Sequence, residues 1–550
     1  MGGRKKNERG KFEHFVQSRV QFRSPTDRRL QRMTTMTSKD SVTLARNTNQ
    51  AFGIGEFAVR FLGPDSKQPG SPDQSVRDRT MMFFTDSILC GVSALALGTN
   101  APRILREEAL DYPAEDGVPV MGSTSKVKAE KAILANCSAV REWDSNGTNF
   151  GFRPEHGHVA GEFGHNDFYS VAIAAAQLAG RSGEDALLGM ILLDEIRGRL
   201  AEVFSLKSYK IDHVVHGAIA SAAVYGAMLG ATAEQIESAI GMCVAHFIPW
   251  RAIRAGKQLS DSKGASAAIS TEVAIVSMQR SMRGFIGPKD IFRNPEAIWR
   301  QFEPTDGDAP FDLILSHSGS DFAVMGMHFK LGLYEHQSAG ALQGLINLLL
   351  ENPEITTDPT QIKTIKVTAY EPAFGIIGDP AKRDPRTRQS ADHSMVFILS
   401  RKLRKAILAG QDLASDNDAM WKQLMLMPED YSDEALFDEQ TRALMQLIEF
   451  EHGGEEYDSR YPDGIPTSIV LQMADGRELD SGLVMYPSGH ARNESADLKG
   501  ILATKFSRMG ELGMDDHAAS VEKLNNLTAL DADQLWTLWD FDIKDVGGVS

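Results

Sequence analysis

The sequence predicts a mainly α protein, a large all-helical domain with a smaller α+β lid domain, and three observations lead there. From Ser41 to about Met327, helix-period runs are separated by glycine or proline. After Lys330 strand-like alternation enters, and beyond Pro487 the helical pattern resumes. A chain of 550 residues should hold more than one core, since single cores stop growing at about 250 to 300 residues. The expected organisation is a basic leader over 1–40, a helical domain over 41–327, a lid over 328–487, and C-terminal helices over 488–550 that complete the helical domain.

Each element has its own signal. A helical run leads up from Lys126 to Val140, a glycine-punctuated loop follows, and a new helix leaves at Phe168. Residues 185–206 contain an apolar stretch from Ala186 to Leu193 that is hydrophobic nearly all round, which suits the inside of a bundle. Gly230 ends one helix, and Thr232 with Gln235 offers a capping box for the next, over 232–244. Another helix is expected over 265–282 and one over 333–350. Thr364 to Tyr370 alternates like a strand, and 467–486 reads as two strands around the Asp475-Gly476 turn. Helices are expected at 395–408 and 441–449 between these strands, with Pro487 to His490 as the return linker and helices at 495–509 and 521–530 after it.

Composition is that of an ordinary globular protein, with 42% hydrophobic and 24% charged residues. A net charge of −16 argues against nucleic-acid binding, because a phosphate backbone would be repelled. Charge is uneven: residues 1–33 carry ten Lys or Arg against Glu8, Glu13 and Asp27. Such an arm reads as a transit segment for the mitochondrial matrix or as a disordered leader of a cytoplasmic protein. The uncharged stretch Val214 to Ala233 reaches membrane-span length, but its glycines and His216 make it a buried helix pair, so no membrane partner is expected. Cys90, Cys137 and Cys243 lie far apart, with no Cys-x-x-Cys pair of the sort an iron–sulfur cluster uses.

Polar groups of catalytic type recur in five segments. The first is the loop with Asp144, Thr148, His156, His158 and His165. The others are Asp212-His213 with His216, Ser260 to Gly264 around Lys263, His328 to His336 around Lys330, and Arg386 to Ser394 with Arg388, Asp392 and His393. A loop of roughly 25 residues holding such groups inside a compact domain usually has a task. No His-Glu-x-x-His or comparable ligand spacing is present, so neither a metal nor another cofactor is expected. Carboxylates and histidines can move protons, while lysines and arginines can hold carboxylates, arginine in a planar bidentate pair. His216 reads best as a satisfied core histidine.

From about Ser41 to Phe506 the chain resembles the MmgE/PrpD family, whose members include 2-methylcitrate dehydratase and cis-aconitate decarboxylase. The motifs that carry the likeness are Arg141-Glu-Trp-Asp144-Ser-Asn-Gly-Thr148, Arg251-Ala-Ile-Arg254 with Ser260-Asp-Ser-Lys263-Gly-Ala, and Met327-His-Phe-Lys330; they look like the dehydratase branch. The resemblance implies an all-helical domain capped by an α/β lid, with the site between them. It implies Asp144, His165, His213, Lys263 and Lys330 as catalytic residues, and Thr148 and Tyr370 as pocket residues. Arg386 and Arg388 are added from the residue types as substrate-binding cations. Asn166 follows His165 where many members have proline, and the loop before it is longer than usual, so His156 and His158 compete for that place.

The expected activity is a cofactor-independent hydro-lyase reaction, dehydration of the tricarboxylic acid 2-methylcitrate in propionate catabolism by the methylcitrate cycle. Decarboxylation of cis-aconitate to itaconate is the alternative in the same fold, and a non-catalytic helical scaffold the alternative of another class. A homodimer is expected.

Overall fold

Helices α1 (Gln50–Leu62), α2 (Gln74–Ala96), α3 (Asn100–Leu110), α4 (Ala129–Arg141), α5 (Tyr169–Leu178), α6 (Gly183–Val203), α7 (Val214–Met228), α8 (Ala233–His246) and α9 (Asp261–Met282) make the helical body. The structure, a computed structural model, describes residues 36–37 and 40–548. Residues 1–35, where most of the basic leader falls, lie outside the described residues. The described part of residues 36–550 packs as one compact unit.

The body is built on helices that are apolar on most sides. All fifteen residues of α7 are buried, as are seventeen of the twenty-one in α6, which is why neither has a polar face for water. α9 lies against α4 and α7, α1 against α8, and α2 against the late helix Leu498–Gly513, so the C-terminal part of the chain returns to the first core. Small residues permit close approach. An added Cβ at Gly55 would meet the carbonyl oxygen of Ala233 at 2.7 Å, where α1 abuts the start of α8. That start is held by the expected capping box: Thr232 N–H donates to Gln235 Oε1 at 2.9 Å and Gln235 N–H to Thr232 Oγ1 at 3.3 Å. Among the described residues no single helix is long and apolar enough to cross a membrane; α2 and α3 meet that test only as a pair bent by 88°.

The main sheet has strand order Ile448–His452, Ile362–Ala369, Thr467–Met473, Glu478–Asp480. Its Ile362–Ala369 strand alternates half-buried and buried residues from Thr364 to Ala369 and runs antiparallel to Thr467–Met473, with Ile365 opposite Leu471 and Val367 opposite Ile469. The expected turn at Asp475-Gly476 closes the hairpin, with Gly476 at a φ of +90° that glycine adopts without steric penalty. The helix Ala339–Glu351 packs on the Thr467–Met473 strand.

Three expectations need correction. Residues 441–449 do not form one helix: Glu439–Met445 is helical, and Ile448–His452 is a strand parallel to 362–369. Long-range pairing to a central strand overrides the local helical period of Leu444 to Phe450. The 333–350 helix begins only at Ala339, because Leu331 to Ser338 is an extended and 3₁₀ segment. The polar loop after Asp144 contains an antiparallel hairpin of Thr148–Phe150 and Phe163–His165, with Thr148 directly opposite His165.

Candidate active site

Helix α4 ends at Arg141, and three residues later the chain turns through Asp144 in the left-handed region, φ +50°. Aspartate tolerates that conformation better than bulky residues do. The turn presents both the carboxylate and the carbonyl oxygen of Asp144 to Lys330, whose Nζ donates to the carbonyl at 2.8 Å and also to Oδ1. Arg141 donates to the same Oδ1. On the other oxygen, Oδ2, His393 Nε2 stands 3.0 Å away and Lys263 Nζ 3.8 Å away. Burial pushes the Asp144 carboxyl up, but Arg141, Lys330, His393 and Lys263 outweigh it and hold the carboxyl well below the usual carboxylate range.

A second shell of charges fastens this hub. Lys263, in the first turn of α9, donates to Asp392 at 3.1 Å, and Asp392 also binds His393 Nδ1 at 2.6 Å and Arg388 at 3.1 Å. Each nitrogen of His393 therefore faces a carboxylate, and both contacts are hydrogen bonds only when both nitrogens carry hydrogen. Arg388 reaches back to Glu142 beside Asp144. Below the loop, Lys505 from the Leu498–Gly513 helix binds Asp86 at 2.7 Å and the carbonyls of Ser145 and Lys330 at 2.7 and 2.9 Å. The backbone on both sides of the hub is thus locked by one buried ammonium.

Above the hub lies a cavity of about 250 Å³, just under the roughly 300 to 1,000 Å³ usual for small-molecule sites. Arg141, Asp144, Thr148, His165, His213 and His393 line it. The hairpin register places His165 and Thr148 side by side, and Thr148 Oγ1 donates to Gly164 O at 2.9 Å. His213 precedes α7, and its ring stands 5.0 Å from that of His165. Burial pushes both imidazoles well below their ordinary range; Arg141 adds to this at both, Lys330 at His165 and Arg254 at His213, while Asp212 opposes it at His213. Both rings are therefore neutral at neutral pH and able to take up a proton. Asp212 is held by Arg254, whose Nη2 also lies 3.4 Å from His213 Nε2.

Two further cations line the cavity: Arg251, whose segment was a motif of the family likeness but was given no site role from sequence, and Lys382, which sequence reasoning passed over. Arg251 stands in the 3₁₀ turn Arg251–Arg254, and its Nη1 is buried without a hydrogen-bond partner. Lys382 stands in the 3₁₀ turn Pro380–Lys382, with its Nζ 3.4 Å from Gly256 O. Among the described residues neither has a carboxylate within ion-pair distance, whereas Arg141, Arg254, Lys263, Lys330 and Arg388 all do. Apolar side chains line the cavity as well, among them Phe150, Phe163, Ile376 and Ile377.

Of the residues singled out from the sequence, Asp144, Thr148, His165 and His213 meet at the cavity wall. Lys263, Lys330 and Arg388 are brought to the same place but lie behind the wall, where they bind carboxylates of the protein. Arg386 is not brought there: it is exposed and paired with Asp384 at 2.9 Å. Tyr370 is buried outside the cavity wall, stacked on Tyr461 with ring centres 4.9 Å apart, its hydroxyl without a partner. His156 and His158, the rivals of His165, flank the outer bend of the hairpin and do not reach the cavity. His216 is a core histidine with Nε2 3.2 Å from Phe204 O. Among the described residues no group of three or more His, Cys, Asp or Glu is arranged to hold a metal ion.

Residues 66–308 match the MmgE/PrpD N-terminal domain. The chain is 26% identical over 457 residues to the mitochondrial 2-methylcitrate dehydratase of Yarrowia lipolytica, covering 79% of this chain and 80% of that protein. It is 24% identical over 408 residues to the 2-methylcitrate dehydratase of Escherichia coli O157:H7, covering 70% and 79%. Over 458 residues it is 21% identical to the alkylcitrate dehydratase phiI of a fungal species, covering 81% and 85%. These relatives indicate a dehydratase, that is, a hydro-lyase. The family these comparisons point to, over residues 66–308, is MmgE/PrpD.

Proposed function

We propose that the protein dehydrates 2-methylcitrate, or a close 2-alkylcitrate, to the corresponding alkyl-cis-aconitate. The observation that carries this reading is the pair of cavity cations with no carboxylate at ion-pair distance among the described residues, Arg251 and Lys382, beside two neutral histidines and apolar lining residues. A buried cation left unpaired is unfavourable unless a ligand supplies the anion, so the cavity suits a polycarboxylate. The apolar lining residues Phe150, Phe163, Ile376 and Ile377 suit the alkyl substituent.

In this reading Arg251 and Lys382 hold substrate carboxylates, and His165 or His213 accepts the carbon-bound proton. Asp144, held ionised by its cations, is a poor base. Its part is to fix Arg141, His393 and Lys330, so that positive charge faces the carboxylate on which negative charge grows. Lys263, Lys330 and Arg388 act through Asp144, Asp392 and Glu142 and do not touch substrate. The name of the Yarrowia relative supports a mitochondrial location.

The test is to mix purified protein with 2-methylcitrate and, separately, with cis-aconitate, following the absorbance of the conjugated product and the release of carbon dioxide. Conjugated product from 2-methylcitrate without carbon dioxide is expected. Carbon dioxide from cis-aconitate with no dehydration would replace this reading by a decarboxylase.

A further inference from the structure

Dehydration has two halves, and the histidine pair accounts for only one. Loss of hydroxide from carbon is slow unless the oxygen is protonated as it leaves. Among the described residues three carboxyl groups line the cavity: Asp144, Asp379 and Glu335. Asp144 is encircled by cations and stays ionised. Asp379 caps its own 3₁₀ turn through Ala381 N–H at 2.8 Å and stands near Lys382, whose ammonium it favours.

Glu335 differs from both. Its backbone N–H donates to Asp392 O at 2.9 Å, which ties it to the segment that carries His393. Oε2 accepts from Gln337 N–H at 2.8 Å, while the nearest donor to Oε1 is Gln337 Nε2 at 3.3 Å. Among the described residues no cation comes within ion-pair distance of it. Oε2 is thus fixed by a backbone N–H, and Oε1, held only by the longer Gln337 Nε2 contact, is the oxygen better placed to carry a hydrogen.

Resting on the dehydratase reading, we propose that Glu335 is the general acid that protonates the departing hydroxyl. The carbon–hydrogen bond breaks to a histidine ring nitrogen, its electron pair forms the carbon–carbon double bond, and the carbon–oxygen bond breaks as the Glu335 proton passes to oxygen and leaves as water. Glu335 is then a carboxylate and the histidine an imidazolium; proton return from the ring to the carboxylate, directly or through water, restores both. Burial favours the protonated carboxyl; His393 opposes that, the nearby charge of Asp144 adds to it, and Lys330 opposes it, and the balance lies above the usual carboxylate range.

The experiment compares wild type with Glu335→Gln on two substrates: 2-methylcitrate, and its analogue with fluorine in place of the hydroxyl, which leaves as fluoride without protonation. Glu335→Gln should lose 2-methylcitrate turnover by roughly 10²- to 10⁴-fold, the range for removal of an acid–base group. It should eliminate fluoride at the wild-type rate, which also shows that the variant is folded. Exchange of the carbon-bound proton with deuterated solvent should persist. Equal loss on both substrates, or full turnover of 2-methylcitrate, would overturn the assignment. A wild-type protein that dehydrates no alkylcitrate would remove the dehydratase reading, and this inference with it.

Discussion

Two buried charge clusters stand within the same helical body, and only one looks like a site. Around Arg199, Nε binds Glu195 at 2.9 Å, Nη1 binds Glu202 at 2.8 Å and Nη2 binds Asp321 at 2.9 Å. Glu195 in turn accepts from the backbone N–H of Ser316 at 2.6 Å and of Ala323 at 2.7 Å. Each charged side chain there is ion-paired within the cluster, and none of Glu195, Arg199 and Glu202 lines the cavity. Around Asp144 the charges are as buried and as numerous, but the edge facing the cavity ends in Arg251 and Lys382, neither of which has an ion-pair partner among the described residues. Buried ion pairs do not by themselves mark function. Unmet charge beside an accessible space does.

The largest effects should separate the two clusters. Asp144→Asn keeps the left-handed turn but strands three or four cations, so turnover should fall by roughly 10² or more and thermal stability should fall as well. Arg199→Met should destabilise by about 3 to 5 kcal/mol, the range for stranding a buried partner, while the folded fraction keeps wild-type kcat. Denaturant unfolding together with active-site-normalised kinetics reads both. An Arg199 variant that is stable but inactive would erase the distinction.

Next come the unpaired cations. Arg251→Met and Lys382→Met should each raise KM by roughly 10- to 100-fold, as expected for loss of a charged hydrogen bond of about 1.5 to 3 kcal/mol. The melting temperature should stay level or rise, because a desolvated cation is removed. A drop in melting temperature with KM unchanged would return these residues to a structural role.

The site was legible in the sequence where residue type and local chain geometry suffice. Asp144, Thr148, His165 and His213 stand in polar segments next to helix ends, and those short-range signals lead to the cavity wall. Lys263 and Lys330 were legible as members of the site but not as residues facing inward onto Asp144, because which face a lysine presents is settled by packing across the chain. Lys382 sits in a Pro-containing 3₁₀ turn that reads locally as a surface loop, and Arg386, four residues on, carries the same charge yet faces solvent. The helical framework was legible because its periodicity is local. The Ile448–His452 strand was not, since its partner lies some eighty residues earlier.

A third effect comes from pH. His328, His336 and His490 stack near the two segments that join the sheet region to the helical body, with His328 5.0 Å from His336 and 4.1 Å from His490. Burial and mutual repulsion hold His328 and His336 well below their ordinary range; at His490, burial and Arg79 lower it to about 3. The unfolded chain binds these protons near pH 6.5 and the folded one does not, so their stability contribution is whole above about pH 6.5 and declines as pH falls toward 3. The melting temperature should fall across that window, and His490→Gln should flatten the slope. The smallest effect belongs to Arg386→Ala: exposed and paired only with Asp384, it should leave both KM and stability near wild type.

The central claim is that Arg251 and Lys382 await the carboxylates of a ligand, and it is tested most directly by titration calorimetry with tricarballylate, a tricarboxylic acid without the hydroxyl needed for turnover. Wild type and Arg199→Met should bind it alike, more weakly as salt rises, and Arg251→Met and Lys382→Met should each bind it at least about tenfold more weakly. Equal affinity in wild type and both cavity variants would contradict the account.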